Sequence, residues 1–364
     1  MFSKDLFIKK DKEYKKYILY HKLARNLAIE KTKIDLYKDS WEKIKKICNP
    51  YELIYINNIN SIAAYIPISR SFFKMWEMIY EFNLLDKFKV MEIACLAEGP
   101  GGFIEAIDKY SDNNIYGITL PPSNEGIPSW KKMKIFGSNV KVSYGNLYDI
   151  DDILKYYKFI GTKVDLVTAD GGIDYSSDYN RQEQMSYQII FSELLTALII
   201  LKDGGNFVCK IFDTFSVMSL KILYFVEKYF DSFELYKPKT SRILNSEKYI
   251  IAKGFRGISD EMKKILLYLH KNLDEYTMDI EGFNLPNKFI HKMNSYIKTF
   301  SESQLKFLKE SIILAENKNF DNNKYIEKQI NNSINWCKKY DIKLNRKSKF
   351  IKKNKTIYRH PTLV

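Results

Sequence analysis

Hydrophobic positions follow two different rhythms along this chain. From about residue 84 to 257, short apolar runs alternate with glycine-containing turns and longer helical stretches. The runs fall at 89–96, 115–120, 140–144, 164–169, 206–211, 233–236 and 248–255. Strands alternating with helices predict a doubly wound α/β domain with a mostly parallel sheet of seven strands. The last run follows its predecessor too closely for a parallel crossover, so it is expected to lie antiparallel. A helix is expected at 181–202, ended by Asp203-Gly204-Gly205 as a glycine cap.

The flanks carry a helical rhythm instead. Residues 1–60 read as helices, with Asp39 as an N-cap and Asn49-Pro50 as a stop. After Gly257 no further strands are expected. Ser301-Glu302-Ser303-Gln304 has the form of a capping box opening a helix to about 317, and another helix is expected at 323–340. The organisation expected is a helical basic extension (1–60), an α/β domain (61–257), a helical region (258–342) and a basic tail (343–364).

Composition narrows this picture. Apolar residues at 45% and aromatics at 15% can fill a sizeable core and argue against disorder. No apolar run reaches membrane-spanning length, and the first residues lack a signal-peptide pattern, so an intracellular protein is expected, cytoplasmic or nuclear. Cys48, Cys95, Cys209 and Cys337 have no metal-ligand spacing, and the four histidines do not cluster, so no metal is expected. The net charge is +14, but its location matters more. Residues 1–60 hold fourteen Lys/Arg against eight Asp/Glu, residues 258–364 twenty-one against twelve, and the middle twenty-three against twenty-four. A basic excess confined to the flanks fits a polyanionic partner such as RNA, and fits lysine-rich compositional drift equally well.

The first sheet strand runs into Ala97-Glu98-Gly99-Pro100-Gly101-Gly102-Phe103 ahead of a helix. Glycines at such a turn let backbone N–H groups approach an anionic ligand at the positive end of the helix dipole. The spacing is neither that of a dinucleotide fingerprint nor that of a P-loop. The second strand ends Gly117-Ile118-Thr119-Leu120 without the carboxylate that grips ribose in nicotinamide enzymes, which disfavours that class. Glu92 and Glu98 are candidates for cofactor contact, and Asn146 and Asp149 for an adenine edge; each is also an ordinary polar residue at a strand end.

Four charged residues stand where an apolar core would exclude them. Lys74 lies in an apolar helical face, Asp170 ends the fourth strand, Lys210 interrupts Phe207-Val208-Cys209-Lys210-Ile211-Phe212, and Glu247 begins the last strand. Ligands of such sheets bind beyond the carboxyl ends of the parallel strands, where Asp170, Lys210 and, on an antiparallel strand, the start at Glu247 all fall. A structural ion-pair network is one reading. Four such residues converging on the ligand edge favour catalysis.

These residues resemble the K-D-K-E tetrad of FtsJ/RrmJ-type ribose 2′-O-methyltransferases, over about residues 67–257. Ser69-Arg70-Ser71-Phe72-Phe73-Lys74 is similar to the family's S-R-x-x-x-K helix, and Gly99-Pro100-Gly101-Gly102-Phe103 to its cofactor loop. Asp170-Gly171-Gly172 and Val208-Cys209-Lys210-Ile211-Phe212-Asp213 resemble the middle of the tetrad. Lys237-Pro238-Lys239-Thr240-Ser241-Arg242 and Asn245-Ser246-Glu247-Lys248-Tyr249 resemble the block around the catalytic glutamate in mRNA cap methyltransferases, including those of large DNA viruses.

The resemblance implies a Rossmann-like methyltransferase fold and S-adenosyl-L-methionine as cofactor, held by Glu98, Gly99, Pro100, Gly101, Gly102, Phe103, Thr119, Asn146 and Asp170. It implies catalysis by Lys74, Asp170, Lys210 and Glu247, and RNA contacts from Arg70, Ser241, Arg242 and Asn245. A ribose hydroxyl is a poor nucleophile, and a lysine beside a second lysine suits the removal of its proton. Capped mRNA is the implied substrate, with proteins of the capping or transcription machinery as further partners. Glu98 is inserted before the glycines and Asn146 replaces an aspartate common among relatives, which puts those contacts in question. Two other readings use the same residues: methylation of structured ribosomal or transfer RNA, and a catalytically silent RNA-binding or interaction module.

Overall fold

The chain enters through β1 (Phe7–Lys10), α1 (His21–Lys33) and α2 (Lys38–Cys48), then a 3-10 turn at Glu52–Ile54, to α3 (Ser71–Phe82). The α/β region follows: β2 (Glu92–Leu96), α4 (Gly102–Tyr110), β3 (Asn114–Thr119), β4 (Val140–Tyr144), α5 (Ile150–Ile160), β5 (Val164–Ala169), α6 (Gln182–Met185), α7 (Tyr187–Ile200), β6 (Leu201–Ile211), α8 (Val217–Tyr229), β7 (Phe230–Tyr236) and β8 (Lys248–Phe255). After it come α9 (Asp260–Asn272), β9 (Thr277–Glu281), α10 (Asn287–Glu316) and α11 (Asn322–Lys339). This is a computed structural model, and it describes residues 6–11, 21–56, 58–122, 129–130, 136–172, 179–317 and 322–352.

Seven strands form one sheet in the order β4-β3-β2-β5-β6-β8-β7. The pairs from β4 to β6 are parallel, and β8 runs antiparallel to both its neighbours. A parallel sheet is covered by helices on both faces, so its central strands lose their polar alternation. All six residues of β5 are buried accordingly. The expected α/β class, the strand positions and the antiparallel last strand match this sheet.

Several local expectations do not hold. The run Asp203-Gly204-Gly205 does not cap a helix: α7 ends at Ile200, and Leu201 is already extended. Leu201 pairs with Val164 and Asn206 with Leu166, so the residues between bulge out of the strand. Gly204, at φ +77°, supplies the left-handed turn within this bulge. Asp39 is not the N-cap of α2, because the preceding 3-10 turn runs straight into the helix from Tyr37. It sits instead in the first turn, where a negative charge still favours the helix dipole.

Strands do not stop at Gly257 either. β9 pairs antiparallel with β1, Ile8 opposite Ile280. Nor does the Ser301–Gln304 box start a helix. It lies in the middle of α10, which begins after Pro286, and Ser301 and Gln304 are buried there. The 323–340 helix is present as α11.

Residues 343–352 do not project as a tail. Lys343 carbonyl accepts from Ala64 N–H at 2.8 Å, Asn345 N–H donates to Ile62 carbonyl at 2.8 Å, and Ser348 Oγ donates to Asn60 carbonyl at 2.8 Å. The rest of the predicted basic tail, with Lys353, Lys355 and Arg359, lies outside the described residues. Among the described residues no helix is long and apolar enough to cross a membrane, and no cluster of His, Cys, Asp or Glu could hold a metal.

Candidate active site

The sheet topology gathers the four charged residues at one edge. Asp170 follows the end of β5 and Lys210 sits one residue before the end of β6. Because β8 is antiparallel, its first residues meet that same end: Lys210 pairs with Tyr249 and Ile211 with Lys248. Glu247 immediately precedes them. The fourth residue, Lys74, reaches in from α3.

Two ion pairs result. Lys74 Nζ lies 2.8 Å from Glu247 Oε2, and Lys210 Nζ lies 3.3 Å from Asp170 Oδ1, with all four side chains only 12–14% exposed. Lys210 Nζ also donates to the Asp170 carbonyl at 2.6 Å. Neighbouring hydroxyls hold the carboxylates as well. Ser241 Oγ donates to Glu247 Oε1 at 2.7 Å, and Tyr249 hydroxyl donates to Asp170 Oδ1 at 2.8 Å. Burial alone would raise the Glu247 pKa, but the Lys74 and Lys210 cations outweigh it and bring it down to about 2.

The glycine-rich loop lies beside this cluster. Glu98 N–H donates to Ile118 carbonyl, Gly99 N–H to Thr119 Oγ1 at 3.3 Å, and Phe103 N–H to Glu98 Oε1 at 2.7 Å. Gly101, at φ +109°, makes the turn that starts α4, in a conformation side-chain-bearing residues avoid. Glu98 Oε2 is buried and has no hydrogen-bond partner among the described residues. Burial, and then the Asp170 carboxylate, push the Glu98 pKa well above the ordinary range.

Other expected site residues are placed differently. Glu92 starts β2 at the opposite edge, away from the tetrad, where it accepts from Asn114 Nδ2 and Tyr116 hydroxyl. Asp149 is occupied as the N-cap of α5. Asn146 is exposed, its Oδ1 accepting from Tyr148 N–H at 3.0 Å. Arg70 turns inward: Nε, NH1 and NH2 donate to the carbonyls of Thr240, Tyr55 and Tyr51. Arg242 makes a two-point contact with Glu52, Nε to Oε2 at 3.2 Å and NH2 to Oε1 at 2.9 Å. Asn245 is exposed.

Three further charged groups near the cluster were not singled out from the sequence. Glu193, on α7, is fully buried; its Oε1 accepts from Gly171 N–H at 2.9 Å and its Oε2 from Cys209 Sγ at 3.4 Å. Burial pushes its pKa up to about 8, against the pull of Lys210. Its position in the apolar run Phe191-Ser192-Glu193-Leu194-Leu195 is the same kind of signal that exposed Lys210. Lys237 Nζ donates to the carbonyls of Asn245 and Glu247 at 2.6 and 2.8 Å, and burial lowers its pKa to about 7. Glu52, in Tyr51-Glu52-Leu53-Ile54-Tyr55-Ile56, carries a shorter version of that signal.

Beside Glu247 opens a cavity of about 600 Å³. Trp41 and Phe212 supply aromatic surface, Lys31, Lys38 and Lys45 positive charge, and Asp35 and Glu42 negative charge. Its far wall is therefore built by α1 and α2, outside the sheet.

Known proteins resemble this arrangement in sequence. A family model described as FtsJ-like methyltransferase matches residues 67–255, just over half of the chain. A cap-specific mRNA (nucleoside-2′-O-)-methyltransferase 1A of Caenorhabditis briggsae is 30% identical over 270 residues, covering 68% of this chain and 30% of the relative. A cap-specific mRNA (nucleoside-2′-O-)-methyltransferase 1 of Dictyostelium discoideum is 32% identical over 266 residues, covering 62% and 33%. The chain thus spans about a third of the length of these relatives. A putative ribosomal RNA methyltransferase of Plasmodium falciparum overlays 52% of this chain and 99% of its own, with 20% identity and a TM-score of 0.41. With the tetrad assembled at the sheet edge and the family model spanning the whole sheet, the chain belongs to the FtsJ-like methyltransferases.

Proposed function

We propose that this protein transfers a methyl group from S-adenosyl-L-methionine to a ribose 2′-hydroxyl of RNA, at the cap-proximal nucleotide of mRNA. The observation carrying this reading is the pairing of Lys74 with Glu247 and Lys210 with Asp170 beside the glycine-rich loop. The cofactor fits that loop. Glu98 offers a buried oxygen without a partner among the described residues, and the turn at Gly101 leads into the N-terminus of α4. Glu98, Gly99, Pro100, Gly101, Gly102, Phe103 and Asp170 would hold its methionine portion and ribose, with Thr119 and Asn146 toward the adenine.

When bound, the cofactor supplies a methyl group on a positively charged sulfur. Lys210, once its ammonium has released a proton to solvent, would accept the proton of the 2′-hydroxyl as that oxygen bonds to the methyl carbon and the carbon–sulfur bond breaks, which leaves the sulfur a neutral thioether. The carbonyl and carboxylate of Asp170 fix Lys210 in place, and Tyr249 fixes the carboxylate. Lys74, held by Glu247, brings a second cation toward the developing alkoxide. Orientation of hydroxyl and methyl supplies much of the rate.

The cap reading rests on the relatives' names and on the cavity beside Glu247. Aromatic surface suits a positively charged purine, and Lys31, Lys38 and Lys45, now paired with Asp213, Asp35 and Glu42, would turn to the phosphates that join it to the first nucleotide. Asn245 lines the same cavity as a candidate RNA contact, whereas Arg242 is held by its two-point contact with Glu52. Arg70, whose three guanidinium nitrogens are all engaged, serves the site from inside.

Labelled methyl transfer to one short RNA, made with and without a cap, tests this proposal, with nuclease mapping of the product. Label in the ribose of the first transcribed nucleotide of the capped RNA alone is expected. Equal transfer to the uncapped RNA would overturn cap specificity, and no transfer to either would favour a silent module.

A further inference from the structure

We infer that Glu52, in the N-terminal flank, is a positioning residue that holds the Lys74–Glu247 half of the active site together. The inference rests on the methyltransferase reading for its kinetic arm only. Glu52 is 6% exposed and touches both elements that deliver this pair. On one side it receives the two-point contact from Arg242, the neighbour of Ser241, whose hydroxyl donates to Glu247 Oε1. On the other side it lies 3.5 Å from Arg70 NH1, and Arg70 stands one helical turn before Lys74. Arg70 Nε in turn donates to the carbonyl of Thr240, so the same arginine ties α3 to the loop ahead of Glu247.

Glu52 is itself fixed from behind. Asn49 Nδ2 donates to its Oε2 at 2.6 Å. Gln329 Nε2, on α11, bonds the carbonyls of Lys46, Ile47 and Asn49 at 2.8–2.9 Å, closing the end of α2. A planar guanidinium matched at two points by a carboxylate has little rotational freedom, which a lysine or a single hydrogen bond would leave. Burial opposes the charge on Glu52, yet Arg242, Arg70 and Asn49 keep its pKa below the ordinary value. The carboxylate therefore stays ionised and the brace stays closed at neutral pH. Neutralising Glu52 would leave two half-buried guanidinium groups without this anion, which is costly, and they would seek other partners.

The test uses the full chain and two readouts. Glu52→Gln keeps the shape and removes the charge; Arg242→Lys removes the two-point contact from the other side and serves should the first variant fold poorly. Kinetically, kcat on capped RNA should fall on the order of ten- to a hundredfold, as expected for a misplaced catalytic group. Affinity for S-adenosylmethionine should not change. In a Ser241→Ala background the same substitution should cost less than about threefold, because residues acting through one path are not additive. Structurally, amine labelling of Lys74 by reductive methylation, followed by mass spectrometry, should speed up severalfold in Glu52→Gln, whether or not the wild type methylates RNA.

A general loss of stability would lower the melting temperature without that selective labelling or that coupling. Unchanged Lys74 labelling in both variants, or a full loss repeated in the Ser241→Ala background, would overturn the inference. Should the wild type transfer no methyl to any RNA, the proposed function fails and the labelling alone decides the role of Glu52.

Discussion

The two halves of the tetrad are supported in different ways. Lys210 and Asp170 stand on central strands and are backed by Tyr249 of β8 and by the turn that Glu193 of α7 holds, all within the sheet and its covering helix. Lys74 and Glu247 stand on a helix end and a loop, and besides Ser241 and Lys237 their supports come from outside. Glu52 braces them from the N-terminal flank. Glu77, on α3, accepts from Tyr236 hydroxyl, from the N–H groups of Lys239 and Thr240, and from Trp336 Nε1 of α11. Gln304 of α10 donates to the Leu244 carbonyl within the same loop. One half of the site is thus supported wholly within the α/β core, and the other draws on the flanks as well.

The largest effect should come from the core half. Lys210→Ala removes the proposed base and should lower kcat by about a thousandfold or more, with affinity for S-adenosylmethionine unchanged. Single-turnover kinetics with calorimetry checks both. Near-normal turnover would break the comparison by moving the chemistry to the Lys74 half.

A smaller effect, opposite in sign between the halves, concerns pH. The pKa of Glu193 is raised, so the folded state binds a proton that the unfolded state has released above about pH 4.5. Stability from this residue therefore falls as pH rises from about 4.5 to 8. For Glu52 and Glu247 the pKa is lowered, so their contribution is present above the unfolded value and is lost as pH falls. Glu193→Gln should raise the melting temperature relative to wild type at about pH 8.5, with the gap closing toward pH 5. A tenfold change in proton affinity between the folded and unfolded states is worth about 1.4 kcal/mol, so the gain should be readily measured. A gap that is constant across this range would show that Glu193 is already ionised in the folded protein.

Much of the core half was legible in the sequence. A lysine inside Phe207–Phe212 contradicts its apolar surroundings, and parallel strands dictate which end of β5 and β6 faces a ligand. The antiparallel turn of β8 followed from the shortness of one connection. The flank half was only partly legible: Lys74 and Glu247 drew attention, but their supports did not. Glu52, Gln329 and Trp336 act through contacts between segments far apart in sequence; the apolar neighbours of Glu52 mark it as buried, but nothing local says which partners it meets. Arg70 and Arg242 illustrate the same limit, since a pattern can place an arginine near RNA without showing that a carboxylate already faces it. β1 and the true start of α10 escaped for a similar reason: a four-residue strand shows almost no alternation, and a serine-rich stretch inside a long helix looks like a start.

The smallest effect concerns charge in the flanks rather than packing. Removing residues 353–364 deletes Lys353, Lys355 and Arg359 while sparing the hydrogen bonds made by residues 343–352. RNA affinity should weaken modestly, and the log–log salt slope should flatten by about 0.7–0.9 for each phosphate that the deleted cations had neutralised. Cofactor affinity and kcat should stay as they were. A titration series at three salt concentrations checks this, and an unchanged slope would leave packing as the flanks' whole contribution to the site.

The pairing of β1 with β9 has a consequence for how the molecule comes together. Lys10 and Asp274, joined by a salt bridge across this small sheet, are 264 residues apart. Closing so long a loop carries an entropy cost that a four-residue strand repays only after the rest of the chain is ordered. β9 has a second anchor: Lys221 of α8 donates to the Ile280 carbonyl and pairs with Asp279 at 2.7 Å. β1 is held by its own ladder, by Leu6 in the core and by the Lys10–Asp274 pair. Residues 6–11 are therefore expected to lock late, and their amides to exchange with solvent before those of β5.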